Sequence, residues 1–237
     1  MNILVVDTSS KEIAIGLFKG DKCLYENYIV ADKNYNKVLM PIIQESIKKA
    51  GLVLGDIDIF ASTLGPGSFT GIRVGMAALK GLAQPVRKKY TGDVVLDILA
   101  NSSASQKRVW AILDAGRNEL YAAVYNTKDS VKAISGRHML LTREQFMAKQ
   151  KKGDTIISLS RENLAGTAVK SGAGVTEEVI AHVDMKVFAA MTARKAKSLK
   201  STDLYTAAPV YIRPSEAEVT LKRKNKERKI MKRGGTK

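Results

Sequence analysis

The sequence predicts an α/β protein of two similar halves, each a mixed sheet entered by an antiparallel hairpin and covered by helices. Three observations carry this. Ile3 to Asp7 is an apolar run that ends on a carboxylate and is followed by the hydroxyl turn Thr8-Ser9-Ser10 and an alternating strand. The same order returns at Val109 to Asp114, with the turn Ala115-Gly116-Arg117-Asn118 and the pairing run Leu120 to Tyr125. Between them the apolar run Ile57 to Leu64 breaks at Gly65-Pro66-Gly67 and resumes as a helix ending near Ala83. Apolar runs without alternation read as strands covered on both faces, which requires helices on the sheet.

The elements follow in order. Ile13, Ile15 and Leu17 share one face of the second strand, Lys19-Gly20-Asp21-Lys22 reverses the chain, and Cys23 to Val30 completes a meander. Leu39, Ile42, Ile43, Ser46, Ile47 and Ala50 then recur at helical spacing until Gly51 stops the helix. Pro41 fits only a first turn, which puts the helix start near Asn36 to Val38. Ser68 or Thr70 can cap the helix after the glycine turn. A strand and a short helix fill Lys89 to Ala100. In the second half, Val131 to Ile134 reads as the third strand, Thr142 to Lys151 as a helix and Thr155 to Leu159 as a strand. Residues 160–186 carry no clear pattern, Val187 to Leu199 is helical, and Pro209 to Pro214 is a short terminal segment bounded by prolines. This divides the chain into lobes 1–101 and 102–216, with the helix near 187–199 free to pack back on the first lobe, and a basic tail 217–237 expected to be disordered beyond Val219.

At 237 residues the chain is long enough to bury a sizeable core. One cysteine, Cys23, excludes an internal disulfide framework and cysteine-rich metal sites. The opening Met1-Asn2-Ile3-Leu4-Val5-Val6-Asp7 meets a carboxylate too early for a secretory signal, and no apolar run approaches the roughly 20 residues of a membrane span. A cytoplasmic protein with no membrane contact is expected. The net charge is +16, of which +8 lies in Leu221 to Lys237. Such a run either contacts a polyanion, with tRNA a candidate through Lys222 to Lys237, or is a solvated terminus.

The glycine turn admits two readings. Either backbone N–H groups at a helix N-terminus beside glycines cradle phosphate, or the same glycines are what a tight strand-to-helix turn requires. No Gly-Lys-Ser/Thr follows, so this is not a Walker loop. Asp7 and Asp114 read either as acid/base or metal-positioning carboxylates or as caps of the turns they precede. His138 and His182 stand far apart and outside ligand spacing, so neither a metal site nor a catalytic residue is expected. In the helix from Gly71 to Ala83, an apolar stripe of Ile72, Met76, Leu79 and Ala83 adjoins a small-residue stripe of Gly71, Gly75 and Ala78, leaving a face for a second helix as well as for the sheet.

Two such halves with an acidic turn after each first strand describe the duplicated actin-like ATPase architecture, ribonuclease H-like in each lobe and known as ASKHA. More specifically, Ile3-Leu4-Val5-Val6-Asp7-Thr8-Ser9, the stretch Leu64 to Ala83, Leu113 to Ala123 and Pro209-Val210-Tyr211-Ile212-Arg213 together resemble the TsaB (YeaZ) family across residues 1–215. Gly65-Pro66-Gly67-Ser68-Phe69-Thr70-Gly71 is the most diagnostic segment. The resemblance implies a non-catalytic scaffold that binds TsaD and, with TsaE, supports threonylcarbamoyl transfer to N6 of adenosine 37 in tRNAs reading ANN codons. It implies that the first lobe's two helices make the partner contact, placing Leu39, Ile43, Ile47, Ile72, Gly75, Met76 and Leu79 there, and a homodimer when TsaD is absent. No cofactor is required. Weak ATP or ADP contact at Asp7, Thr8, Ser9, Gly65, Gly67 and Ser68 is expected at most. The histidine often seen in the family's first helix region is Tyr35 here. The competing expectation is a self-sufficient actin-fold ATPase or kinase.

Overall fold

The computed structural model describes residues 1–31, 35–127, 132–133, 138–160, 174–200 and 203–213, with 36, 132, 133 and 203 described by backbone alone. The expected disorder beyond Val219, and the basic tail itself, lie outside these residues.

The first half runs β1 (Asn2–Asp7), β2 (Glu12–Lys19), β3 (Lys22–Val30), α1 (Tyr35–Lys49), β4 (Ile59–Thr63), α2 (Phe69–Ala83), β5 (Lys89–Asp93) and α3 (Val95–Ser102). Its sheet has the order β3-β2-β1-β4-β5, with β1 antiparallel to β2 and parallel to β4. The second half runs β6 (Arg108–Gly116), β7 (Glu119–Asn126), β8 (Lys132–Ala133), β9 (Met139–Thr142), α4 (Arg143–Lys149), β10 (Thr155–Ser158), β11 (Thr176–Val179), α5 (Met185–Lys195) and a one-turn helix α6 (Asp203–Thr206). Its order β11-β10-β6-β7-β8, with β9 also on β7, repeats the first sheet's pattern around β6. The fold is the duplicated actin-like α/β architecture that the sequence predicts.

Alternation along β1 sorts the core. Leu4 and Val6 face outward with Ile13, Ile15 and Leu17 to meet α1 and α2, while Ile3 and Val5 face inward. The inward cluster is continuous with Val109, Ala111, Ala123, Tyr125 and Ile157 of the second sheet through α3 and α5. The two helices cross over: α3 packs on β6, β7 and β10, whereas α5 packs on β1, β2 and β5. Gly16 makes room for α5, since a Cβ there would stand 2.9 Å from the Met185 Cβ. On the far side of the second sheet, Trp110 packs edge-on against Phe146 of α4, and the buried Asp154 accepts from Trp110 Nε1 at 2.9 Å and Arg108 Nη1 at 2.8 Å.

Several boundaries differ from the sequence reading. Pro41 falls in the second turn of α1, where it denies the Lys37 carbonyl its helical donor; both residues are exposed, so water can serve that carbonyl. The third strand of the second half is chiefly β9, paired along β7, while Val131 and Ile134 lie outside the described residues. The unpatterned stretch 160–186 contains β11, whose Thr-Glu-Glu-Val sequence reflects an exposed edge strand. Residues 203–213 form a strap over the first half: Leu204 enters the outer core, Lys80 Nζ donates to the Ala207 carbonyl at 2.6 Å, and Val210 N donates to the Leu64 carbonyl at 2.8 Å.

Beyond Ala83 the chain winds one more turn and stops at a Schellman motif. Lys88 N reaches the Ala83 carbonyl at 3.0 Å and Arg87 N reaches the Gln84 carbonyl at 3.1 Å. The residue in the left-handed position is Arg87, with φ of 53°. A non-glycine residue costs roughly 1–2 kcal/mol in that conformation.

The glycines of α2 do opposite work at its two ends. A Cβ on Gly71 would lie 2.0 Å from the Thr8 carbonyl oxygen, whereas a Cβ on Gly81 would meet nothing within 4 Å. Gly71→Ala should therefore lose about 1–3 kcal/mol by overpacking, while Gly81→Ala should gain up to about 1 kcal/mol of helix propensity. Urea unfolding of the two variants beside the parent checks both signs; equal shifts would refute the packing assignment.

Candidate functional site: the cleft below the first hairpin

β1 ends on Asp7 and Asp114 stands two residues before the end of β6, and both carboxylates face a cleft of about 640 Å³ between the halves. They are not equivalent. Asp7 is 3% exposed; its Oδ1 accepts from Thr63 Oγ1 at 2.6 Å and from Ser9 N at 2.9 Å. Burial pushes its carboxyl above the ordinary range, against the lowering effect of these hydrogen bonds. Asp114 is exposed, accepts from Gly116 N at 3.1 Å and lies 3.5 Å from Arg143 Nη2. Both act as caps of the turns they precede.

The glycine loop closes on the β1–β2 turn. Ser68 N donates to the Ser9 carbonyl at 2.6 Å, Thr8 Oγ1 donates to the Gly71 carbonyl at 2.8 Å, and Ser68 Oγ accepts from Gly71 N at 3.1 Å to cap α2. Gly67, at φ 152°, has no room for a side chain, because a Cβ would stand 2.1 Å from the Ser9 carbonyl oxygen. Tyr35, from the start of α1, donates its hydroxyl to the Ser10 carbonyl and holds the turn from the other side.

Of the six residues expected to touch nucleotide, Asp7, Ser9, Gly67 and Ser68 line the cleft, but Thr8 and Gly65 do not. Thr8 is wholly buried against α2, and Gly65 sits beneath Ile72 and the Val210 carbonyl. The residues expected at the partner contact lie mostly inside the chain. Leu39, Ile43, Ile47 and Leu79 are buried in the outer core, Ile72 and Met76 are 3% and 4% exposed, and Gly75 packs on Thr8. The reason is that the stripe with the strongest helical period is the one the chain's own sheet and strap take up. The exposed surface of α1 and α2 includes Met40, Pro41, Gln44 and Glu45 on the first helix and Phe69, Arg73, Ala77 and Gly81 on the second, with Ile42, Val74 and Ala78 half-buried.

The histidines serve local contacts. His138 Nε2 lies 3.0 Å from Asp97 Oδ1, and His182 stacks on Tyr28 with its Nδ1 2.5 Å from Glu12 Oε2. Among the described residues no group of three His, Cys, Asp or Glu side chains could hold a metal ion, and no helix is long and apolar enough to cross a membrane. The sequence reading missed the His182–Glu12 link across the cleft and the strap, because both join residues more than 100 positions apart.

A glycine-turn helix under a duplicated β-meander, with a carboxylate at or near the end of each first strand, defines a two-lobed protein of the actin-like ATPase fold. The family model for TsaD, tRNA N6-adenosine threonylcarbamoyltransferase, matches residues 29–224. The tRNA threonylcarbamoyladenosine biosynthesis protein TsaB of Bacillus subtilis (strain 168) is 24% identical over 92% of this chain and 96% of its own. The protein of the same name from Escherichia coli (strain K12) is 29% identical over 55% of this chain and 57% of its own. The structure of YeaZ from Pseudomonas aeruginosa superposes with a TM-score of 0.71 at 20% identity, over 89% of this chain and 99% of that one. The chain belongs to the TsaD-like family and, within it, to TsaB (YeaZ).

The raised pKa of Asp7 has a definite sign. A carboxyl whose folded value lies above its unfolded value of 3.8 leaves the fold most stable when protonated. Stability is then lost as pH rises from the unfolded value through the folded one. Asp7→Asn keeps an oxygen for Thr63 and Ser9 and carries no charge. Its melting temperature should match the parent's in acid and exceed it at neutral pH, with the gap opening upward from about pH 4. A gap that widens toward acid instead would reverse the assignment.

Proposed function

We propose that the chain is a scaffold subunit of tRNA modification, supporting formation of threonylcarbamoyladenosine at position 37 by binding a TsaD partner, with TsaE joining through that complex. The tRNA-modifying role rests on family membership and on the names carried by its TsaB relatives. The scaffold reading rests on one geometric observation: the loop that could have cradled phosphate is occupied by the protein's own backbone. Ser68 N, an amide of the kind that would face an anion, is donated to the Ser9 carbonyl, and the space bared by Gly67 is filled by that same carbonyl oxygen. The weak ATP or ADP contact we propose runs along Asp7, Ser9, Gly67 and Ser68, which line the cleft, with no step of chemistry assigned to it. A second reading, a self-sufficient ATPase or kinase of this fold, draws on Asp7 and Asp114 facing one cleft.

The partner surface we assign is the outer face of α1 and α2. Arg73, Ala77 and Gly81 follow one another at helical spacing on exposed surface, beside half-buried Val74 and Ala78. Beyond Arg73, which packs on Phe69 and Tyr211, the small side chains of Ala77, Ala78 and Gly81 permit close approach of a second helix. The same face would pair with a second copy when TsaD is absent. Charged substitutions at Ile72 or Met76 would instead bury a carboxylate and report only on folding.

Gly81→Glu separates surface from core, because it improves helix propensity while blocking close approach. The variant should keep or exceed the parent's melting temperature, stay monomeric in size-exclusion chromatography with light scattering, and lose about tenfold or more in affinity for TsaD. An unaltered complex would remove this face from the interface. Steady ATP hydrolysis by the isolated chain, abolished in Asp7→Ala, would favour the enzyme reading instead.

A further inference from the structure

At the end of the first sheet opposite the cleft, an open groove of about 650 Å³ separates the α2–β5 connection from the C-terminal end of α5. Arg87, Lys88 and Lys89 form one wall, and Ala196 and Lys197 form the other. Four cationic side chains face a single carboxylate, Asp58. That carboxylate is already committed, accepting from Asn2 N at 2.8 Å and lying 3.4 Å from Lys88 Nζ. Lys89 Nζ donates to the Ala196 carbonyl at 2.9 Å and so ties the two walls together. Lys19 and Lys22, exposed at the β2–β3 turn, lie at this same sheet end, since Lys19 is in register with Asn2.

Two features distinguish this groove from a surface that is merely basic. Arg87 and Lys197 have no ion pair or side-chain hydrogen bond among the described residues, so their charge is available to a ligand. Arg87 also occupies the left-handed position of the Schellman motif, where glycine is the residue the backbone prefers. The fold would be better served by glycine. An arginine held there against backbone preference, at the rim of a cationic groove, is the pattern expected when strain is retained for binding. Its guanidinium offers a planar fork of donors matched to phosphate oxygens, which lysine does not.

We infer that this groove binds the phosphodiester backbone of tRNA, as a contact separate from both the cleft and the basic tail. The identity of the polyanion rests on the tRNA-modifying role proposed above; the groove's cationic character does not. Contacts of this kind set register and affinity without reading sequence. The C-terminal end of α5 would lie close to the RNA. Lys89 then has a further part, covering a helix-end carbonyl that would otherwise repel phosphate.

The test uses the full chain and an unmodified tRNA transcript, with binding followed by fluorescence anisotropy between about 50 and 200 mM salt. Arg87→Gly and Lys197→Gln are made singly and together, beside a chain shortened at Leu221. The double variant should bind tRNA about tenfold more weakly at the lower salt, and its plot of log affinity against log salt should flatten by about one to two units. Arg87→Gly alone should hold or raise the melting temperature, because glycine relieves the left-handed backbone. An unchanged salt slope in the double variant, with all loss confined to the shortened chain, would overturn the inference in favour of the tail. A lower melting temperature in Arg87→Gly would overturn it by assigning that residue to the fold. Groove-dependent capture of anionic phospholipid vesicles, with tRNA binding unaltered, would overturn it in favour of a membrane surface. Titration with TsaD separates the two levels: variants that still join TsaD but lose tRNA support the groove, and a parent chain that binds tRNA through the groove yet ignores TsaD supports the groove while removing the proposed function.

Discussion

The structure depends on the fit of one short turn into the bared face of one helix. Thr8 and Ser9 lie directly under α2 because Gly67, Gly71 and Gly75 carry no side chains, and a Cβ on any of them would stand between 2.0 and 2.3 Å from turn atoms. That closeness lets Thr8 Oγ1 reach the Gly71 carbonyl and Ser68 N reach the Ser9 carbonyl, which fixes where the helix begins. It also buries Asp7, since the turn that covers the carboxylate is the turn the helix presses down. Helix, cleft wall and the raised carboxyl pKa thus have a common origin in three missing methyl groups.

Duplication has left the two halves alike in path and unlike in chemistry. β1 and β6 stand at equivalent places in their sheets, yet Asp7 is enclosed and Asp114 faces solvent beside Arg143. A pair of carboxylates working together on one substrate needs environments tuned against each other across a shared volume. Here the difference in environment follows from local turn construction on each side. The β6–β7 hairpin closes through Arg117 and Asn118, both at positive φ, in the two-residue form that antiparallel strands favour.

Much of this was legible in the residues. The doubled order of apolar runs gave the two sheets, and Gly65-Pro66-Gly67-Ser68 marked the start of α2, because strand and helix periods are local properties of sequence. Edge strand β11 was not legible, since Thr176 to Val179 is mostly exposed and carries no alternation. The strap was not, because its anchors are carbonyls and amides that any sequence supplies. The candidate site was only partly readable. Asp7, Ser9, Gly67 and Ser68 do meet at the cleft, but periodicity cannot say which stripe of an amphipathic helix a protein keeps for itself, and Leu39, Ile43 and Leu79 belong to the core. Nothing in the order of residues marks Arg87 as left-handed; that follows only from where α2 has to stop.

The crossed packing of α3 and α5 has a mechanical meaning. Each half lends its last long helix to the other's sheet, and the apolar cluster runs without interruption from Ile3 through Leu99 and Phe188 to Ile157. Proteins that close two lobes over a ligand do so about a hinge where few side chains interlock. In this molecule the joint is itself buried core, and opening it would drag close-fitted side chains past one another. The two walls of the cleft thus stand on one shared core, which ties the outer helices to the far end of the sheet as a bracket does.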